Sequence, residues 1–504
     1  MAVGVEAGAP PAVRPPPNRR VRSGPALSVG WTTAALLLAL LLATPILVIG
    51  VSSLGAAGES WDHVARTLLP RYVRNTVVLV VASCGLALVT GVGTAWLVSA
   101  CEFPGRRLFR WALVLPLAVP AYMAAYTYAA MLDVTGPVQK LVRAVVPGAA
   151  NEFLYWDVMR IEVVAAIFGL VLFPYVYLPT RALFDGQSGP LVEAARTLGR
   201  HPLSVFTRVA VPMARPAIAG GLALVAMEVF NDYGAVAYYG VSTFTTGIFR
   251  AWFSLGDVDT AIRLSALLML AVFAVLLAER WQRRNRRYAT PGSSGRAMGR
   301  YRLRGARAWA AVAACLVPLL FGFLIPVTQL GIWTARTFGD VVDAEFLRLT
   351  LNSFGLAAVT GLVCLLMAVV ILFALRLDRS FLTMAAARLS ILGYSIPGAV
   401  IAVGVLVSVL ALERWFGAVL GPGTLVSGTV LALLFAYTVR FMAVAYLPVE
   451  AGFARVGEQL DAASRTLGAG PGRTLWRVDL PLLKASLLAA LTLVIIDVLK
   501  ELPL

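Results

Sequence analysis

YLPTRALFDGQSGPLVEAARTLGRHPLSVFTRVAVP, residues 177–212, and YLPVEAGFARVGEQLDAASRTLGAGPGRTLWRVDLP, residues 446–481, are one pattern written twice, 269 positions apart (446 − 177). Tyr177-Leu178-Pro179 returns as Tyr446-Leu447-Pro448, and Phe184 as Phe453. Arg196-Thr197-Leu198-Gly199 returns as Arg465-Thr466-Leu467-Gly468, Pro202 as Pro471, Arg208-Val209 as Arg477-Val478 and Pro212 as Pro481, with no gap. Apolar runs align by chance in membrane proteins; Arg, Gly and Pro outside those runs do not. The chain therefore reads as an internal duplication that includes a polar loop, an arrangement most common in transporters.

The loop has a local reading. Ser188-Gly189-Pro190 starts a helix, with proline favoured at the first position and Glu193 near the positive end of the dipole. Gly199 supplies the left-handed residue that ends it, and Pro202 starts a second helix running towards Pro212. Leu191, Ala194, Ala195 and Leu198 form one apolar stripe, which would also suit a segment lying flat on lipid. That alternative explains one loop. It does not explain why both keep 13 residues from glycine to proline (212 − 199 and 481 − 468), which implies two similar partners.

Composition sets the medium. Hydrophobic residues make up 59% of the chain and charged ones 14%, against about 25% charged in soluble domains. Apolar stretches of spanning length, about 20 residues, begin near Trp31, Val73, Leu108, Ile161, Pro216, Ala261, Ala308, Thr350, Ala386, Thr424 and Lys484. The net charge of +17 falls largely in loops on one side, through Arg106, Arg107, Arg110, Arg196, Arg200, Arg208, Arg376, Arg379, Arg388, Arg455, Arg465, Arg473 and Arg477. The other side mixes signs, with Glu59, Asp62, Arg66 and Arg71 in one loop and Asp340, Asp343, Glu345 and Arg348 in another. This is the positive-inside pattern with a cytoplasmic N-terminus. It accounts for the charge without nucleic acid, for which no groove or stacking motif is present.

The organisation follows. Residues 1–30 form a basic, Pro- and Ala-rich tail expected to be disordered. Residues 31–281 form the first half, with its core at about 72–281. An Arg-rich cytoplasmic linker covers 282–307, read either as a solvated connector or as a lipid- or partner-binding patch. Residues 308–504 form the second half, with its core at about 348–504. The first span is too long for a signal-peptide core and reads as a retained helix. Cys84, Cys101, Cys315 and Cys364 have irregular spacing and support neither a disulfide framework nor a metal site. Upstream, Asn75-Thr76 matches Asn352-Ser353 and Pro120 matches Pro397, both 277 apart. The change of offset gives the first half a longer external loop. At the 269 offset Leu504 corresponds to Ala235, so the second half is expected to lack about 45–50 residues containing its last span.

A second pair of segments carries acids inside spans. Glu228-Val229-Phe230-Asn231-Asp232-Tyr233-Gly234 corresponds to Asp497-Val498-Leu499-Lys500-Glu501-Leu502-Pro503, each with carboxylates four residues apart on one helical face. Charges in a span are costly and commonly functional, and a carboxylate-lined path suits a hard cation. Glu228, Asn231, Asp232, Asp497, Lys500 and Glu501 are therefore candidate path residues; for Asp232, Lys500 and Glu501 the alternative is a place at the membrane edge, forming inter-helix salt bridges or caps. His63 and His201 are the chain's two histidines, and no nucleotide-binding glycine loop, metal-ligand cluster or nucleophile–base set appears.

Glu193-Ala194-Ala195, then Gly199, then Pro212 resembles the EAA loop of permease subunits of bacterial ABC importers. The second loop departs from that pattern. Ala462-Ala463-Ser464 stand where Glu193-Ala194-Ala195 stand, with Asp461 one residue earlier, while Gly468 and Pro481 are retained. The lost glutamate bears on one contact and on whether the loops couple equally. Asn231-Asp232-Tyr233-Gly234, the segment from Tyr239 to Ile248 and the segment from Asp497 to Pro503 resemble fused iron(III)-importer permeases. Thiamine permeases share the fused layout, and polyamine permeases the single-half fold.

The resemblance implies an all-α polytopic fold of two tandem six-helix, MetI-like units, the second incomplete. It implies coupling helices docked on two ABC ATP-binding subunits that hold ATP and Mg, and an extracytoplasmic substrate-binding protein. No cofactor or metal is expected on this chain, which would be a transport subunit of the bacterial plasma membrane. From a different class, a polytopic membrane enzyme or secondary transporter using the paired acids remains open.

Overall fold

In the computed structural model, residues 25–145, 157–186, 189–284, 299–420 and 428–502 are described. Almost all of them are helical, and ten helices are long and apolar enough to cross a membrane. In the first half these are α1 (Pro25–Ser52), α2 (Leu69–Ala100, extended back to Trp61), α4 (Ile161–Gly186), α6 (Val211–Asn231, continuous back to Pro202) and α8 (Val258–Arg284). Between them lie α3 (Ala121–Leu132), α5 (Gly189–Thr197) and α7 (Phe244–Phe249). In the second half the spans are α9 (Ala306–Val341), α10 (Ala344–Leu377), α12 (from Gly398), α13 (Val430–Val456) and α15 (Leu480–Lys500, continuous back to Pro471). The shorter α11 (Phe381–Ser390) and α14 (Glu458–Thr466) complete it.

Two expected spans are broken. The stretch beginning near Leu108 is not one rod: Arg106–Ala118 and Ala121–Val145 meet at 88°. The stretch beginning near Ala386 stops at Ser390, passes through a tight turn at Leu392–Ser395, and resumes as α12 at Gly398. The cause is the same in both places. Pro120 and Pro397 lack an amide proton and force the residue before them out of the helical region, and Val119 and Ile396 have ψ of 118° and 135°. The N-terminal tail also needs correction at its boundary, since residues 25–30 already belong to α1. Residues 1–24 and 285–298, the rest of the tail and most of the linker, lie outside the described residues.

Each half has a core of three packed helices: α2, α4 and α6 in the first, and α10, α13 and α15 in the second. Small residues set the approach, as expected where lipid offers no hydrophobic drive between helices. A Cβ on Gly221 of α6 would lie 2.6 Å from the Tyr175 carbonyl oxygen of α4, and one on Gly452 of α13 2.6 Å from Ser486 Oγ of α15. The outer helices cross over. α1 packs on α10, α11 and α12 of the second half, with Trp31 edge-on to Phe373 at 5.0 Å. α9 packs on α2 and α4 of the first half, where Ala308, Ala311 and Cys315 join its core. After α2 the chain forms β1 (Cys101–Glu102), which pairs in parallel with β2 (Tyr301–Arg302) at the end of the linker. The result is an all-α polytopic membrane protein of two tandem helical units joined by exchanged helices.

Candidate transport cavity and coupling elbows

The two loops that open the sequence argument form two elbows of the same shape. α5 and α14 end at Gly199 (φ 73°) and Gly468 (φ 80°), a left-handed conformation that disfavours any residue with a Cβ. Arg200 N–H then donates to the Ala195 carbonyl at 3.2 Å, and Ala469 N–H to the Ser464 carbonyl at 3.1 Å, closing both helix ends alike. Pro202 and Pro471 start the next helix, and each passes through one π-helical turn, Phe206–Ala210 or Leu475–Asp479, before α6 or α15. Leu198 and Leu467, beside the glycines, are 80% and 88% exposed. Ala194, Ala462 and Ala463 are exposed as well, Ala195 and Pro212 half-buried and Pro481 exposed.

Their roots differ. In the first elbow, Val192 and Ala210 are fully buried, beside a cluster in which Trp96 meets Phe184 at 5.6 Å and Phe206 at 5.2 Å. At the matching positions (192 + 269 and 210 + 269) the second elbow has Asp461 and Asp479. Both are buried against Arg376 of α10, whose guanidinium bonds Asp461 and the Gly457 carbonyl, and donates to the Phe453 carbonyl at 3.0 Å. Asp479 lies 3.9 Å from the same guanidinium. At the 277 offset Ser99 stands where Arg376 stands (376 − 277).

The first elbow has an additional support. Glu193 accepts from Gly299 N–H at 3.4 Å, and Arg196 bonds the Gly299 carbonyl while lying 4.2 Å from the Tyr301 ring centroid. Arg300 and Arg106 both reach Glu102, at 3.6 and 3.2 Å. The end of the linker is thus fastened to α5 and to β1.

At the opposite ends of α6 and α15 lies a cavity of about 210 Å³. Its walls come from both halves: the Pro120 break, α4 and α6 on one side, the Pro397 break, α13 and α15 on the other. All six candidate path residues line it. Glu228 accepts from the Tyr175 hydroxyl at 3.2 Å. Asn231 Oδ1 accepts from Gly398 N–H at 2.6 Å, tying α6 to the first turn of α12. Asp232 caps the short helix Gly234–Tyr238 by accepting from the N–H groups of Ala235 and Val236 at 2.9 and 3.2 Å. Lys500 pairs with Asp497 at 2.9 Å, and Glu501 with Arg440 of α13 at 3.7 Å. Asp232 is thus a helix cap and Glu501 pairs between helices, while Lys500 pairs within its own helix; all three also line the cavity.

Arg440 was missed. A charge ten residues into the apolar span Val430–Val456 is the signal that finds it. Tyr122, Tyr175, Tyr233 and Tyr394 also line the cavity. Among the described residues, no three His, Cys, Asp or Glu side chains converge as a metal site would. The carboxylates are dispersed around the space and do not form a cage.

The family described as binding-protein-dependent transport system inner membrane component matches residues 34–287 and 365–504. The Fe(3+)-transport system permease protein FbpB 2 of Haemophilus influenzae is 26% identical over 458 residues, 88% of this chain and 82% of that protein. The sulfate transport system permease protein CysT of Salmonella typhimurium is 27% identical over 225 residues, 44% of this chain and 76% of that protein. A probable molybdenum ABC transporter permease protein of Haloferax volcanii is 29% identical over 274 residues, 52% of this chain and 94% of that protein.

Proposed function

Because the chain belongs to the family of binding-protein-dependent transport system inner membrane components, we propose that it carries a hard cation, iron(III) foremost, across the membrane. It is an ABC transporter permease, a multi-pass transport subunit and not an enzyme. One observation supports a cation. Glu228, Asp232, Asp497 and Glu501 bring four carboxylates to the cavity, against two cations, Arg440 and Lys500. A trivalent cation would meet the oxygen donors it prefers, whereas an oxyanion such as sulfate or molybdate would meet more acidic than basic side chains. The dispersed acids suit passage, which needs binding weak enough to release.

In this reading an extracytoplasmic binding protein delivers the cargo to the cavity. Two ATP-binding subunits, which hold ATP and Mg, dock on the elbows at the cytoplasmic face. Glu193, Ala194, Ala195, Gly199 and Pro212 shape one elbow, and Asp461, Ala462, Ala463, Gly468 and Pro481 the other. Closing the ATPase pair moves the elbows. α6 and α15 run unbroken from elbow to cavity, so they carry that displacement to the cavity walls and alternate its access. An organic cation, thiamine or a polyamine, is the second reading; the four tyrosines favour it, because ring faces attract cations.

Uptake assays in a deletion strain separate the cargoes when the chain is restored with its ATPase and binding protein. Radiolabelled iron(III) is expected to accumulate, and excess thiamine or spermidine to leave that uptake unchanged. Uptake of molybdate or sulfate without iron would overturn the cation reading.

A further inference from the structure

The cavity neutralises part of its own charge. Glu501 is 7% exposed at its side chain, and its Oε1 has no hydrogen-bond partner among the described residues. Its other oxygen faces Arg440 Nε at 3.7 Å, and that Nε likewise makes no hydrogen bond. Arg440 is 9% exposed and fixed from behind, where its guanidinium bonds the Ile396 carbonyl in the Pro397 break. Lys500 holds Asp497 in the same way at 2.9 Å. Two carboxylates of a cavity that lies between the halves are therefore engaged by cations of the chain itself.

We propose that Arg440 is a tethered counter-ion that holds Glu501 while the cavity is empty, and that a cargo cation must displace it to enter. The inference rests on the cation reading above and specifies how the cation is chosen. A monovalent ion offers Glu501 no more charge than the guanidinium already there, so it gains nothing by exchange. A trivalent ion attracts the same carboxylate several times more strongly and leaves Arg440 bonded to Ile396. The long, unhydrogen-bonded ion pair suits this role: it satisfies charge without the geometry of a bidentate clamp, so little is lost when it opens. Arg440 thus sets the charge that a cargo cation must exceed to bind. Lys500 acts similarly on Asp497.

Calorimetry on the purified full chain, with gallium(III) buffered by citrate and with manganese(II) chloride, tests this. Wild type is expected to bind gallium(III) and to bind manganese(II) much more weakly. Arg440→Gln is expected to bind manganese(II) at least tenfold more tightly, and gallium(III) more tightly by at least the same factor, because both ions lose the same competing charge. Arg440→Lys keeps the charge and should stay within about threefold of wild-type affinity for both ions. Glu501→Gln, which leaves the guanidinium free in the cavity, should weaken gallium(III) binding at least tenfold. Loss of folding in Arg440→Gln leaves the other two variants to decide. Gallium(III) and manganese(II) affinities unchanged in Arg440→Gln, or a lysine variant that behaves like glutamine, overturn the exchange and leave the cation reading standing. Wild type that binds molybdate and neither metal overturns both.

Discussion

The two elbows have the same backbone and opposite roots. Both close with a glycine at φ 73° or 80° and present a leucine that is 80% or 88% exposed. Underneath, Val192 and Ala210 seat the first by apolar packing, while Asp461 and Asp479 seat the second on Arg376. The backbone turn and its exposed leucine are held constant; the attachment to the membrane core is not. The difference has an energetic sense. An apolar root tolerates small adjustments, because packing loss is graded. A buried ion cluster with two acids and one base either stays whole or fails sharply, because removing one member strands a charge. The first elbow is the graded one, and the linker at Gly299 and Tyr301 braces it further.

The largest expected effect comes from breaking the charged root. Arg376→Met leaves two buried carboxylates without their cation, a loss of about 3–5 kcal/mol. Thermal unfolding should show it, and proteolysis should open the second elbow before the first. Rebuilding the second root in the image of the first, with Arg376→Ser, Asp461→Val and Asp479→Ala together, should recover most of that loss. A triple variant no better than Arg376→Met would show that the roots are not interchangeable.

A smaller effect, equal in the two elbows, is expected from the shared feature. Gly199→Pro or Gly468→Pro removes the positive φ, since proline is fixed near −65°, at a cost of about 3 kcal/mol. Transport-linked ATP hydrolysis should fall at least tenfold while the protein stays in the membrane. Full activity in the double variant would remove the elbows from the coupling mechanism.

The smallest effect should be confined to the first elbow. Tyr301→Ala deletes the ring beneath Arg196, a contact worth about 0.5–1 kcal/mol at an exposed site. Amide exchange over residues 189–200 should speed up several-fold, with residues 458–470 unchanged. A change in both would mean that the linker braces the whole assembly.

The elbows were legible in the sequence because their signals are backbone signals. Glycine at a helix end and proline at a helix start act locally, whatever packs around them. The acids that line the cavity were legible too, since Glu228 and Asp497 are costly in a span, and their four-residue spacing to Asp232 and Glu501 marks one face. The exchange of α1 and α9 between halves was not. Which helix a span packs against depends on close approaches such as Gly404 to the Pro45 carbonyl, where a Cβ would lie 2.6 Å away, and hydropathy does not encode partners. The breaks at Pro120 and Pro397 were hidden because the apolar runs continue through them. The roots were hidden for a different reason: Arg376, Asp461 and Asp479 lie far apart in sequence and read singly as surface charges.

Iron(III) uptake into proteoliposomes holding the permease with its ATPase partner tests the account most directly, comparing wild type with Glu228→Gln plus Asp232→Asn. These two side chains have no salt bridge among the described residues, so replacing them removes two of the cavity's four carboxyl groups while leaving both elbows and the pairs at Arg440 and Lys500 intact. The expected result is at least a tenfold fall in iron(III) uptake with unchanged protein in the vesicles. Undiminished iron(III) uptake in the double variant would contradict the carboxylate-lined route.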